Sequence, residues 1–96
     1  MMRDAHYIAL IHKDADSGYG VSFPDVPGVI AVADTLDDAI AEAASVLDFA
    51  FEDWPGEQPV ARTLEALRLD PDFQLAAADA VVAAIRPSAQ YYQAAE

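Results

Sequence analysis

The stretch that most constrains this chain is Gly18 to Gly28, Gly-Tyr-Gly-Val-Ser-Phe-Pro-Asp-Val-Pro-Gly. Its first half alternates as a short strand does: Tyr19, Val21 and Phe23 share one face, and Gly20 and Ser22 the other. Proline fixes φ and has no N–H to give a ladder, so Pro24 ends that strand. Pro27-Gly28 is a turn signal, because glycine takes a positive φ that other residues resist. A second strand, Val29 to Ala33, comes after the corner. The segment before this stretch must pair with it, and the segment after it must cover it.

His6 to Lys13 reads as the first strand, with Ile8 and Leu10 on one face and Tyr7, Ala9 and Ile11 on the other. Asp14 to Gly18 is a turn, rich in residues that bond their own backbone or tolerate positive φ. Three strands then form an antiparallel meander with one face to cover. The cover is a helix from about Leu36 to Trp54. Thr35 is a good N-cap and Asp38 completes a capping-box-like pair. Leu36, Ile40, Ala43, Leu47, Ala50, Phe51 and Trp54 recur at helical spacing and form one stripe. Phe49 falls off it, among Glu42, Ser45, Glu52 and Asp53. Pro55-Gly56 stops the helix.

Glu57 to Ala61 is a linker, and Arg62 to Leu69 a short second helix closed by Asp70-Pro71. Val81, Val82 and Ile85 fit either a fourth strand or a continuing alanine-rich helix. The β-branched pair just before Pro87, and the room at a sheet edge, favour the strand. Ser88 to Glu96, with Tyr91-Tyr92, reads as a fraying tail. The expected fold is α+β: a three-stranded antiparallel meander plus a fourth strand, packed against one long helix, with a short second helix.

Five Lys plus Arg stand against 17 Asp plus Glu, a formal net charge of -12. Nucleic-acid affinity comes from basic groups neutralising phosphates, so this surface repels a phosphate backbone. It attracts and steers a basic partner instead. At 54% hydrophobic the chain is not a disordered one, and with no Cys it has neither disulfides nor thiolate metal sites. Met1-Met2-Arg3-Asp4 does not open a signal peptide, and no run approaches ~18 apolar residues. The expectation is a cytoplasmic protein.

Catalytic chemistry finds little support. Asp14, Asp16, Asp25 and Asp34 all lie at strand ends or in loops, where carboxylates can converge on metals. Turn formation and helix entry already account for Asp14, Asp16 and Asp34. His6 and His12 share a strand face but lie roughly 20 Å apart, too far to share a metal. No serine has a nucleophile-elbow context, and no glycine-rich phosphate loop is present. Neither an enzyme nor a cofactor or metal site is expected.

His12-Lys13-Asp14, then Asp16-Ser17-Gly18-Tyr19-Gly20-Val21-Ser22-Phe23-Pro24-Asp25-Val26-Pro27-Gly28, and Asp34-Thr35-Leu36-Asp37-Asp38-Ala39 at the helix start, resemble the HicB family of antitoxins. These are the protein half of the HicA–HicB toxin–antitoxin systems. Thr63-Leu64-Glu65-Ala66-Leu67 and Asp79-Ala80-Val81-Val82 extend the similarity. The resemblance implies a partial RNase H-like fold, β-β-β-α-β, without working nuclease carboxylates. It implies a small basic RNA-cleaving HicA-type toxin as partner, masking of the toxin's active site, and dimers or higher oligomers. Residues 1–87 form the antitoxin domain on this reading, and 88–96 a tail without the C-terminal DNA-binding segment that such proteins commonly carry.

An inhibitor of an RNA-cleaving protein can set carboxylates where the phosphates would go. The expected contact residues are Asp14, Asp16 and Asp25, with Tyr19, Phe23, Asp48 and Phe49. The rigid turn and corner mount the first group at low entropic cost. Two other functions compete: a metal-dependent ribonuclease or hydrolase of RNase H-like fold, and a scaffold that only self-associates. The charge yields a direct expectation. The isolated chain should not bind DNA or RNA at physiological salt, and a gel shift at sub-micromolar protein would contradict this.

Overall fold

Tyr7-Ile8-Ala9-Leu10-Ile11 contains no charged residue, and all five side chains are buried. A strand with both faces apolar needs a layer on each side. The computed structural model, which describes residues 6–16 and 18–87, supplies both. The readings of Met1-Met2-Arg3-Asp4, of Ser17 in the first turn and of the Ser88–Glu96 tail fall outside the described residues.

Strand β1 (Tyr7–Lys13) pairs antiparallel with β2 (Tyr19–Ser22), setting Ile11 opposite Val21 and His12 opposite Gly20. After Phe23 the chain makes two successive turns, closed by Val26 N–H on the Phe23 carbonyl at 3.1 Å and Val29 N–H on the Val26 carbonyl at 3.3 Å. Gly28 takes φ 95°, as the proline corner requires. Strand β3 (Ile30–Ala33) then pairs with β2, one residue shorter than the alternation predicts. Helices α1 (Leu36–Glu52), α2 (Leu64–Leu67) and α3 (Pro71–Ala77) come next, and β4 (Val81–Ile85) returns antiparallel to the free side of β1. The sheet order is β3-β2-β1-β4. Val81–Ile85 is therefore the strand that its β-branched pair favoured.

Helix α1 covers the face carrying Tyr7, Ala9, Ile11, Val21, Phe23, Ala31 and Ile85. Thr35 Oγ1 accepts from Asp38 N–H at 3.1 Å, as the cap spacing predicts. The buried line of the helix is Ala39, Ala43 and Leu47, every fourth residue. It lies one residue before the predicted Ile40, which sits at the margin and is 38% exposed. Small alanines bring the helix axis close to the sheet, and larger Leu36, Phe51 and Trp54 flank the contact. Phe51 meets both Tyr7 and Trp54 with ring centroids 5.4 Å apart.

The opposite face of β1 is covered by α2 and α3, where Leu67 and Phe73 pack on Ile8 and Leu10. One covered face was the expectation. Asp70-Pro71 does more than close the preceding helix, which is only Leu64–Leu67. Asp70 Oδ1 accepts from Asp72 N–H at 2.9 Å and Pro71 takes the first turn, so the pair starts α3. No helix among the described residues is long and apolar enough to cross a membrane.

Leu47 is fully buried at the centre of the α1 contact. Leu47→Ala should lower unfolding free energy by about 2–5 kcal/mol, read from a denaturant titration. A change near zero would show that α1 does not carry the core.

Candidate functional site

The β1–β2 hairpin end gathers polar groups at one corner of the sheet. Asp14 N–H donates to the Gly18 carbonyl at 2.9 Å and closes the turn. A Cβ at Gly18 would run into the Ala33 carbonyl oxygen, so only glycine lets the turn lie against the end of β3. A hollow of about 470 Å³ opens there, lined by Asp14, Gly18, Tyr19, Val32, Ala33 and Asp34. Asp16 is exposed on the same turn. Lys13 Nζ donates to the Asp14 carbonyl at 2.7 Å and lies 5.6 Å from the centroid of the Tyr19 ring.

The structure thus brings Asp14 and Tyr19 together and adds Asp34 to them, with Asp16 exposed on the same turn. Asp34 reads from sequence only as the entry to α1. The signal that it faces the hairpin is the close approach at Gly18, which no spacing rule reveals. Phe23 is elsewhere, buried in the core beneath the proline corner. The Asp48 side chain is half-buried, and Phe49, on the outer surface of α1, is 73% exposed. From Leu36, where α1 leaves the Asp34 end, to Phe49 is about 20 Å along the helix, so Asp48 and Phe49 form a separate patch.

Asp25 has a different task. Its side chain is only 8% exposed and accepts from Arg62 twice, from Nε at 2.7 Å and from the backbone N–H at 2.8 Å. Arg62 Nη1 also donates to Asp70 Oδ2 at 3.2 Å. One guanidinium therefore ties the proline corner to the N-cap of α3. These carboxylates raise the Arg62 pKa, mainly through their hydrogen bonds. The N–H of Asp72, then Arg62, hold the Asp70 carboxyl below its ordinary value. Tyr7 Oη donates to the Pro59 carbonyl at 2.6 Å, and burial, with the Asp25 charge behind it, pushes that phenol up.

His12 Nε2 lies 2.9 Å from the Ala76 carbonyl and 4.0 Å from Asp79 Oδ1, linking β1 to the end of α3. Among the described residues no three His, Asp or Glu side chains are grouped as a metal ion would need.

A family model described as "HicB_like antitoxin of bacterial toxin-antitoxin system" matches residues 7–93. The fold is similar to the crystal structure of the Burkholderia pseudomallei antitoxin HicB, with a TM-score of 0.63 and 31% identity over 83% of this chain and 61% of that one. It is also similar to the crystal structure of that antitoxin's N-terminal domain, with a TM-score of 0.61 and 28% identity over 83% of this chain and 94% of that domain. The chain accordingly spans 61% of the length of the whole antitoxin. No curated protein matches the sequence.

The Arg62 clamp is testable by stability alone. Arg62→Gln leaves the shielded Asp25 carboxylate with the residue-62 backbone N–H but without its cation, and should lower the denaturation midpoint. Asp25→Asn in the same chain should recover part of the loss, giving a non-zero coupling in a double-mutant cycle. The lowered Asp70 pKa sets the sign with pH. Its stabilisation is fully present above the ordinary value of 3.8 and is lost as pH falls below it. Asp70→Asn should therefore shift the denaturation midpoint less at low pH than at pH 7.

Proposed function

Because the chain belongs to the HicB-like antitoxin family, we propose that it neutralises a basic, RNA-cleaving HicA-type toxin by covering the toxin's active site. It does so in the cytoplasm, by binding and not by catalysis, and assembles into dimers or higher oligomers. The observation that carries this reading is the family match, which runs through all seven elements of the described residues. The net charge of -12 supports the choice of partner, since an RNA-cleaving protein presents Lys and Arg to phosphates.

The seven expected contact residues take two roles in this proposal. Asp14 and Tyr19, in the hollow with Asp34, and Asp16 on the adjoining turn face the toxin. Phe49 and Asp48 make a second contact along α1, where a large exposed aromatic ring can be desolvated by a partner. Asp25 and Phe23 act from behind, holding the corner in shape through Arg62 and the core.

Co-expression with the toxin encoded beside it should restore growth, and unrelieved toxicity with no complex in a pull-down would overturn the reading. Binding kinetics with that toxin separate the two contacts. Asp16→Ala should slow association several-fold at low salt and flatten its salt dependence, because an exposed carboxylate steers. Phe49→Ala should instead speed dissociation about tenfold, as loss of an aromatic anchor does. If neither rate moves, the toxin sits on another face.

A further inference from the structure

The face of the sheet opposite α1 is covered over only part of its width. Cross-strand pairing puts Leu10, Ser22 and Ile30 in one row on that face, and His12, Gly20 and Val32 in the next. Helix α3 lies along β1, with Phe73 packed on Leu10 and the Ala76 carbonyl 2.9 Å from His12 Nε2. The half over β2 and β3 is open, and Ile30 is 66% and Val32 74% exposed there.

Between α3 and β3 runs a trough. Its floor is Gly20 and Ser22, and a Cβ added at Gly20 would meet nothing within 4 Å. One wall is Phe73 and Ala76 of α3, and the other is Ile30 and Val32. The space divides at Ser22 into two hollows. The one toward Pro24 and Asp72 holds about 290 Å³, and the one toward His12 and Asp14 about 240 Å³.

We infer that this trough receives an amphipathic α-helix of the basic partner, seated beside α3 and carrying Lys or Arg near both ends. The inference deepens the toxin-neutralising reading above and rests on it.

The width selects a helix. From β1 to β3 is two strand spacings, about 9–10 Å. Packed helices lie about 8–10 Å apart, so one helix beside α3 fills the open half. Hydrogen bonding selects a helix too. Strand β2 is paired on both sides, so its backbone has nothing to offer a segment lying on its face. Such a segment must satisfy its own N–H and C=O groups, which a helix does and an extended chain does not. With only Gly20 and Ser22 below, a large apolar side chain of that helix reaches the sheet between Val32 and His12.

Charge selects a basic helix. Asp72 lines one end of the trough and Asp14 the other. Asp79, its side chain 90% exposed, stands 4.0 Å from His12 at the Asp14 end. Arg62, the cation at the Asp72 end, is already held by Asp25 and Asp70. The chain as a whole carries -12, so a nucleic acid or an acidic segment is repelled from the same place. Asp14 lies four residues after Leu10, about 13 Å along the strand direction. An α-helix covers that distance in about nine residues. The occupant is therefore two to three turns long, roughly, with an apolar residue over Gly20 and a cation toward each end. Asp14 and Val32 line both the trough and the hairpin-end hollow, so a toxin held at the hairpin enters the trough without a break in contact.

Isothermal titration of the purified chain with the toxin encoded beside it tests this. Gly20→Val fills the trough from below. Its denaturation midpoint should hold or rise, because valine suits a strand better than glycine and finds room. Its affinity for the toxin should fall about tenfold or more. Val32→Lys sets a like charge against the helix and should weaken binding to a similar extent. Leu75→Lys adds the same charge to another side of α3, where Leu75 is 79% exposed, and should change affinity by less than about threefold. A second readout needs no loss of affinity. The chain has no Cys, so Gly20→Cys places a single thiol in the trough. Saturating toxin should slow its alkylation by a maleimide about tenfold or more, and should leave Leu75→Cys reacting as before. Full affinity of Gly20→Val, equal weakening by Leu75→Lys, or unslowed alkylation at position 20 overturns the inference and leaves toxin neutralisation standing. No complex with the unmutated chain overturns both.

Discussion

The burial of β1 on both faces is the constraint on which the rest of this structure depends. Tyr7 to Ile11 presents Tyr7, Ala9 and Ile11 to α1 and Ile8 and Leu10 to α2 and α3. Neither layer alone would suffice, since exposing Ile8 and Leu10 would return two large apolar side chains to water, at roughly 1.5–3 kcal/mol each. The second layer is short, with helices of four and seven residues that would not persist in isolation. Its attachment therefore matters. Leu67 and Phe73 provide the apolar contact, and Arg62, between Asp25 and Asp70, provides the directional one. The same guanidinium fixes the proline corner that aims β3, so the two ends of the fold share one clamp.

Local sequence patterns made most of this architecture legible. Alternation at Tyr19–Phe23, the prolines at 24 and 27, the Thr35 cap and the Val81-Val82 pair each have a short-range physical cause, and each appears in place. The misses have causes of another kind. Tyr7–Ile11 carries its own signal, a run with no charged residue, which marks a strand buried on both faces and not one in a one-sided sheet. Asp-Pro both ends one helix and opens the next, and only packing decides which use prevails. Ala39 displaces Ile40 from the buried line because close helix–sheet approach favours the smaller residue, a tertiary preference that periodicity does not encode.

The surface was less legible than the fold. An aspartate in a turn and an aspartate in a clamp look alike in sequence. Asp16 is exposed, whereas the carboxylate of Asp25 is spent on Arg62, thirty-seven residues away. Nothing local to Asp-Val-Pro-Gly announces that partner. Phe49 was legible, because a helical wheel isolates it from the core stripe at once, and it is exposed as the wheel requires. Side chains placed by backbone geometry alone could be read. Those placed by a distant partner could not.

Charge and neutrality are segregated on this molecule. The carboxylates of Asp14 and Asp34 line the hollow at the end of the sheet where β3 finishes, with Asp16 exposed on the adjoining turn, while β3 itself is uncharged. The turn that mounts Asp14 lies against Ala33 only because Gly18 has no side chain, so the shape of the hollow follows from one close backbone approach. Carboxylates mounted on so short a turn lose little freedom when a cationic group arrives, and a field concentrated at one end of the sheet orients such a group before contact.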